Sequence, residues 1–105
     1  MKADIKTDLS LEIDESKIVC EQYGDINNAK RILLFCHGFP GTSRLVRLYD
    51  NLKNKSISVV EINYRGDKKC EGKFSFLGSI KDIETVAYYF KQKYKVPLHV
   101  LGYSM

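Results

Sequence analysis

The sequence predicts an α/β fold in which a mostly parallel sheet is flanked by helices and preceded by an N-terminal antiparallel hairpin. Two observations support this prediction. Three short apolar runs, residues 32–36, 57–64 and 98–101, are separated by longer segments with helical patterning. Strands and helices that alternate in this way, joined by short loops, are typical of parallel sheets. Upstream, two stretches alternate apolar with polar residues, as the strands of a half-exposed hairpin do.

The predicted hairpin occupies the first quarter of the chain. Leu9, Leu11 and Ile13 alternate with polar neighbours, and a second stretch runs from Ile18 to Tyr23. Residues 25–30, rich in Asp and Asn, have the composition of a turn. A meander of two strands is therefore expected before the first buried strand.

Residues 32–36 are apolar on both faces, which is typical of a central strand buried between two helical layers. The segment His37-Gly38-Phe39-Pro40-Gly41 ends this strand. Thr42 and Ser43 then offer a helix N-cap. The apolar positions of this first predicted helix follow helical spacing: Leu45, Leu48, Tyr49 and Leu52.

A second helix is predicted to begin at Ser79, with Asp82 completing a weak capping box. Its apolar positions predict one buried stripe, made of Ile80, Ile83, Ala87, Phe90 and Tyr94. Pro97 ends this helix, and residues 98–101 form the last predicted strand.

Length, composition and charge limit the classes of protein that fit. With 105 residues and a 44% hydrophobic composition, residues 1–105 form part or all of one modest domain. The net charge of +4 comes from scattered lysines, so nucleic-acid binding is not expected. The opening residues lack the apolar core of a secretory signal, and no apolar run approaches the roughly 20 residues that cross a bilayer. The sequence therefore predicts a cytoplasmic protein without membrane insertion.

The three cysteines, Cys20, Cys36 and Cys70, include no C-x-x-C pair. Their number and spacing favour reduced thiols over a disulfide framework or a zinc site, and no metal is expected. Cys36 lies in an apolar run and is expected to pack as a small hydrophobic residue. Cys70 follows two lysines that would lower the pKa of its thiol, which leaves a reactive thiol as an alternative.

Two segments carry candidate chemistry. Gly102-Tyr103-Ser104-Met105 follows a predicted strand and is one glycine short of G-x-S-x-G, the sharp turn that exposes a nucleophilic serine. The segment from His37 to Gly41 follows an earlier buried strand, and the backbone N–H of Phe39 is a candidate oxyanion donor. Met105, directly after the serine, offers a second N–H donor. The alternatives are a plain turn at Ser104 and a histidine, His37, that anchors its loop by hydrogen bonds.

Three segments together resemble the α/β-hydrolase superfamily, especially its esterase, acyl-lipase and serine-aminopeptidase-like members. They are I-L-L-F-C-H-G-F-P-G (32–41), N-Y-R-G-D-K-K-C-E-G (63–72) and L-H-V-L-G-Y-S-M (98–105), in the family's own order over residues 9–105. The resemblance implies that Ser104 is the nucleophile and that Phe39 and Met105 donate to the oxyanion. His37, Gly38 and Gly102 would then support the two loops. Asn63 and Cys70 depart from the residues that are common in the family, an aspartate and a serine.

The resemblance implies a serine hydrolase that cleaves a small-molecule ester or amide through an acyl-enzyme, without metal or organic cofactor. The family's acid and histidine follow the serine, so both are expected beyond Met105. Residues 1–105 would then be the N-terminal part of one domain, truncated after the nucleophile turn and dependent on a complementing C-terminal segment. The alternatives are a non-catalytic ligand-binding protein of the same fold, an interaction module, and a degenerate reading frame.

Overall fold

The computed structural model describes residues 6–36, 52, 55–66, 70–73 and 75–102. In this part of the chain the elements are β1 (Lys6–Ile13), β2 (Ser16–Tyr23), a 3-10 turn (Ile26–Asn28), β3 (Arg31–Cys36), β4 (Ile57–Ile62), α1 (Phe76–Tyr94) and β5 (Leu98–Gly102). The strands predicted from the sequence are all present. The first predicted helix lies outside the described residues, apart from Leu52.

The five strands form one mixed sheet in the order β1-β2-β4-β3-β5. β2 pairs antiparallel with both β1 and β4, whereas β3 pairs parallel with both β4 and β5. The predicted N-terminal hairpin and the predicted parallel strands are thus confirmed. β3 lies between two parallel neighbours, which is why its apolar residues face both layers of the protein.

The hairpin turn between β1 and β2 consists of Asp14 and Glu15, and Ile13 pairs with Ser16 to close it. Both turn residues have positive φ, 52° and 66°. Two consecutive positive φ values are typical of a type I′ turn, whose twist matches that of the flanking strands. Neither position carries the glycine that such turns favour. The turn is instead supported by the contacts of the Asp14 side chain with Arg65 and Lys81.

Helix α1 begins three residues earlier than its sequence pattern predicts. Ser75, not Ser79, is the N-cap, and its Oγ accepts a 2.9 Å hydrogen bond from the Gly78 N–H. Ser79 is buried instead, and its hydroxyl donates to the carbonyl of Phe76. The helix ends at Tyr94, and its C-cap, Lys95, adopts the left-handed conformation two residues before Pro97.

The buried line of α1 is Ser79, Asp82, Val86 and Phe90. The stripe predicted from sequence lies beside it: Phe90 is fully buried, Ile83, Ala87 and Tyr94 pack partly against the core, and Ile80 is 39% exposed. The displacement arises because two of the four residues on the buried line, Ser79 and Asp82, are polar. A pattern of apolar residues does not include them. Burial of Phe90 alone contributes about 1.5–3 kcal/mol.

The core has two parts, one on each face of the sheet. On the α1 face, Val86 and Phe90 pack against inward-facing residues of four strands, among them Ile18, Leu34 and Ile62. On the opposite face, Tyr23, Phe35 and Val59 form a smaller cluster with Leu33 and Leu52. Because β4 is buried from Ser58 to Ile62, the centre of the sheet is covered on both sides over the described residues.

Candidate functional site

The three parallel strands end together at one edge of the sheet. Cys36, the last residue of β3, pairs with Ile62 at the end of β4 and with Gly102 at the end of β5. Ligands and reacting groups of open α/β sheets lie beyond the carboxyl ends of such strands. This carboxyl edge is therefore the candidate functional site.

Both chemistry-bearing segments leave the sheet from directly paired positions at the carboxyl edge. The segment that holds His37, Gly38 and Phe39 follows Cys36, and Ser104 and Met105 follow Gly102 by two and three residues. All of these candidates except Gly102 lie outside the described residues. Gly102 itself ends β5, and no described atom lies within 4 Å of a Cβ placed there. The roles assigned to these residues from sequence stay predictions.

Cys36 marks the centre of the edge. It is 6% exposed, and burial raises the pKa of its thiol to about 11, although a hydrogen bond with Tyr64 opposes the shift. Cys20 on β2 is fully buried, and burial raises the pKa of its thiol to about 12. Both thiols therefore remain protonated at neutral pH, as expected of packing residues.

A buried ion pair anchors the turn that follows β4. The carboxylate of Asp82 in α1 is fully buried, and three nitrogen atoms of Arg65 donate hydrogen bonds to it. The Arg65 backbone N–H donates to Oδ2 at 2.9 Å, Nη2 donates to Oδ1 at 2.7 Å, and Nε lies 3.1 Å from Oδ1. These charge-assisted bonds compensate the desolvation of Asp82, and they hold the end of β4 against α1.

Gly78 makes room for this ion pair. A Cβ at position 78 would lie 2.7 Å from Cδ and 2.8 Å from Nε of Arg65, and 2.6 Å from Oγ of Ser75. The first turn of α1 therefore has no space for a side chain between its N-cap and the arginine. The need for glycine here comes from close approach.

The ion pair extends to the hairpin turn. Arg65 Nη2 also reaches Asp14 at 3.2 Å, and Lys81 Nζ lies 2.7 Å from the same carboxylate. Hydrogen bonds from Lys81 and Arg65 hold the pKa of Asp14 below its usual value. The Asp14 carboxylate therefore joins the β1–β2 turn to α1 and to the β4 turn, although it is exposed to solvent.

The loop after Gly66 is tied back to β2 through Cys70. The Sγ atom accepts a 3.2 Å hydrogen bond from the Val19 N–H and donates to the Asn63 carbonyl at 3.1 Å. Both bonds are ones that a serine hydroxyl also makes. Cys70 thus joins this part of the chain to β2 and to the end of β4 through bonds that a hydroxyl side chain could also form.

Sequence reasoning missed the Arg65–Asp82 pair because Asp82 fits a capping box. A usable signal was present: Asp82 lies four and eight residues before Val86 and Phe90, on the buried line of the helix. A charged residue at such a position requires a buried partner. Arg65 is the first basic residue after β4, and it follows the end of that strand by three residues.

Within the described residues, no group of three or more His, Cys, Asp or Glu side chains is arranged to hold a metal ion. In the same part of the chain, no helix has both the length and the apolar character needed to span a membrane.

No protein-family model and no curated protein matches the sequence. Among solved structures, the chain is similar to Est1E from Butyrivibrio proteoclasticus with bound ferulic acid (19% identity, TM-score 0.76, 90% of this chain and 41% of that one). It is also similar to the Pyrococcus furiosus esterase Pf2001 (18%, TM-score 0.75, 95% and 43%). A third likeness is to an α/β serine hydrolase homologue from Coxiella burnetii (17%, TM-score 0.76, 91% and 50%).

These likenesses show that the chain has the α/β-hydrolase fold, as the resemblance in its sequence implies. The chain spans half or less of the length of these three structures. At identities below one fifth, the agreement concerns the path of the backbone, and it carries no residue role from one protein to another.

Proposed function

We propose that the chain is the N-terminal part of a serine hydrolase that cleaves a carboxylic ester, or a related acyl compound, through an acyl-enzyme on Ser104. The observation that carries the proposal is the direct pairing of Cys36 with Gly102. It brings the two segments with candidate chemistry to neighbouring strand ends on one edge. The esterases and serine hydrolases among the structural neighbours support the same reaction class.

In the proposed reaction, Ser104 attacks the carbonyl carbon of the substrate. The negative charge that develops on the carbonyl oxygen is stabilised by the backbone N–H groups of Phe39 and Met105. His37 and Gly38 support the first of these donors, and Gly102 supports the turn that carries the second. A serine hydroxyl needs a base to act as a nucleophile at neutral pH, and the family order places the acid and the histidine after the serine.

We also propose that a complementing segment covers β5. Val100 and Leu101 are 56% and 40% exposed, and they alternate on opposite faces of the last strand of the sheet. No described strand pairs with the outer edge of β5. An apolar strand exposed in this way is a site for pairing with a further strand. The triad acid and histidine would arrive with that segment.

The first test of the proposed function is to determine the coding sequence that follows Met105. The expected continuation after Met105 is a glycine, followed by an acid and a histidine within roughly 150 residues. The protein expressed with that continuation should react at Ser104 with a fluorophosphonate probe, and Ser104→Ala should abolish labelling. A continuation without the acid or the histidine, or labelling that persists in Ser104→Ala, would contradict the acyl-enzyme. The first of these outcomes would favour a non-catalytic binding protein of the same fold.

A further inference from the structure

The N-terminal edge of the sheet carries two hollows, one on each face of β1. On the α1 face, a groove of about 440 Å³ lies between β1 and the helix. On the opposite face, a second hollow of about 380 Å³ lies beside the hairpin turn. Leu11 and Glu12 border both hollows. The two hollows therefore lie at the same height along β1.

The groove on the α1 face is mainly apolar and aromatic. Leu11, Tyr88 and Tyr89 form its walls, and Tyr88 is 67% exposed. Lys93 closes one end, where its Nζ lies 5.6 Å from the ring centre of Tyr89 and 3.2 Å from the hydroxyl. This groove thus suits an apolar or aromatic side chain.

The hollow on the opposite face is acidic. It is bordered by Glu12, Glu15 and Glu71, with Lys17 as its one cation among the bordering residues. Glu71 contacts the Lys17 backbone N–H, whereas Glu12 and Glu15 form no ion pair among the described residues. This hollow has the charge that complements a lysine or arginine side chain.

The outer edge of β1 has no strand beside it in the described part of the chain. An extended peptide can add to such an edge through its main chain, and successive side chains then point to opposite faces. One residue would enter the aromatic groove and the next would enter the acidic hollow. We propose that β1 is a docking edge for an extended peptide whose residues alternate between basic and apolar.

A second copy of the chain fits this edge less well. If two β1 strands paired antiparallel about Ser10, Asp8 of each would lie opposite Glu12 of the other. Like charges directly opposite each other destabilise a strand pair. Glu12, which forms no ion pair among the described residues, favours a partner strand that carries a cation opposite it.

The test uses the 105-residue chain and an eight-residue peptide in which Lys and Phe alternate, capped at both ends. Hydrogen–deuterium exchange followed by mass spectrometry locates the peptide, and fluorescence anisotropy measures its affinity. We expect slower exchange in residues 6–13 and unchanged exchange in residues 98–102. A peptide with Glu in place of Lys, and one with the same residues in two blocks, should bind at least about tenfold more weakly.

Matched variants distinguish binding at the two hollows from non-specific binding of the peptide. Tyr88→Ala should weaken binding about fivefold, because it removes an aromatic wall of the groove. Glu12→Lys should weaken binding about tenfold, because it reverses a charge that borders both hollows. Leu77→Ala and Glu84→Lys change two other exposed positions of α1 that border neither hollow, and binding should stay within about twofold. All four positions are exposed, so circular dichroism should show unchanged folding.

Three results would overturn the proposal: protection confined to β5, equal binding of the Glu peptide, and equal losses in the two control variants. A fourth would replace the peptide by a second copy of the chain. That result is a dimer in sedimentation whose β1 is already protected before any peptide is added.

Discussion

At the scale of single residues, Asp82 is the clearest case of a charged side chain whose burial is compensated by one partner. Its carboxylate is fully buried, and Arg65, 15% exposed, supplies most of its hydrogen bonds. Removing one member of a buried pair leaves an uncompensated charge, which costs about 3–5 kcal/mol. We therefore predict that Arg65→Met strongly lowers the urea midpoint of unfolding.

The control for this prediction is Lys81→Met, which breaks the exposed contact with Asp14. Its side chain is 55% exposed, and water and salt screen such pairs, so the midpoint should not change measurably. Equal losses in the two variants would show that the burial of Asp82 is not what makes Arg65 important.

Cys70 provides a second prediction at this scale, because its thiol accepts from Val19 and donates to Asn63. A hydroxyl makes both bonds, whereas a methyl group makes neither. Cys70→Ser should therefore leave the free energy of unfolding nearly unchanged, and Cys70→Ala should lower it by about 1–3 kcal/mol. Denaturant titration of the two variants measures the difference. If Cys70→Ala matched the parent chain, the two hydrogen bonds would have no energetic weight.

At the scale of elements, the first turn of α1 is constrained by the Arg65 side chain, which packs closely against Gly78. A glycine in a helix is ordinarily replaced by alanine with a gain of about 1 kcal/mol. At Gly78 the new Cβ would meet Arg65 and the Ser75 cap at 2.6–2.8 Å. Gly78→Ala should therefore lower the melting temperature, contrary to helix propensity.

A double-mutant cycle identifies the cause of that loss. Because Arg65 is the neighbour that cannot move without exposing Asp82, Gly78→Ala should cost less in the Arg65→Met background than in the parent chain. An equal cost in both backgrounds would assign the effect to the Ser75 cap alone. The hairpin turn, joined to the same arginine through Asp14, should lose exchange protection with Arg65→Met in either case.

At the scale of the whole molecule, the sequence predicts where the strands lie along the chain, because each strand is a short apolar or alternating run. It also predicts that the segments after Cys36 and Gly102 share one edge, since parallel strands align their carboxyl ends. It does not predict Arg65–Asp82, because a contact between residues 17 apart depends on how α1 crosses the sheet. The sequence pattern wrongly predicts Ser79 as the N-cap, because a hydroxyl residue before an apolar stripe fits a cap. The burial of Ser79 depends on packing, which the pattern does not contain.

The exposed apolar residues of β5 lead to a prediction about self-association of the chain. Val100 and Leu101 expose apolar surface on a strand whose outer edge is unpaired among the described residues, and such strands associate with one another. The 105-residue chain should therefore sediment as species larger than its 12.1 kDa mass. Val100→Lys should shift the distribution toward monomer, because a charge on the strand opposes edge pairing. Thr7→Lys, at the opposite edge of the sheet, should leave the distribution unchanged. A monomeric parent chain would show that β5 needs no covering segment, whereas rescue by Thr7→Lys alone would place the association at β1.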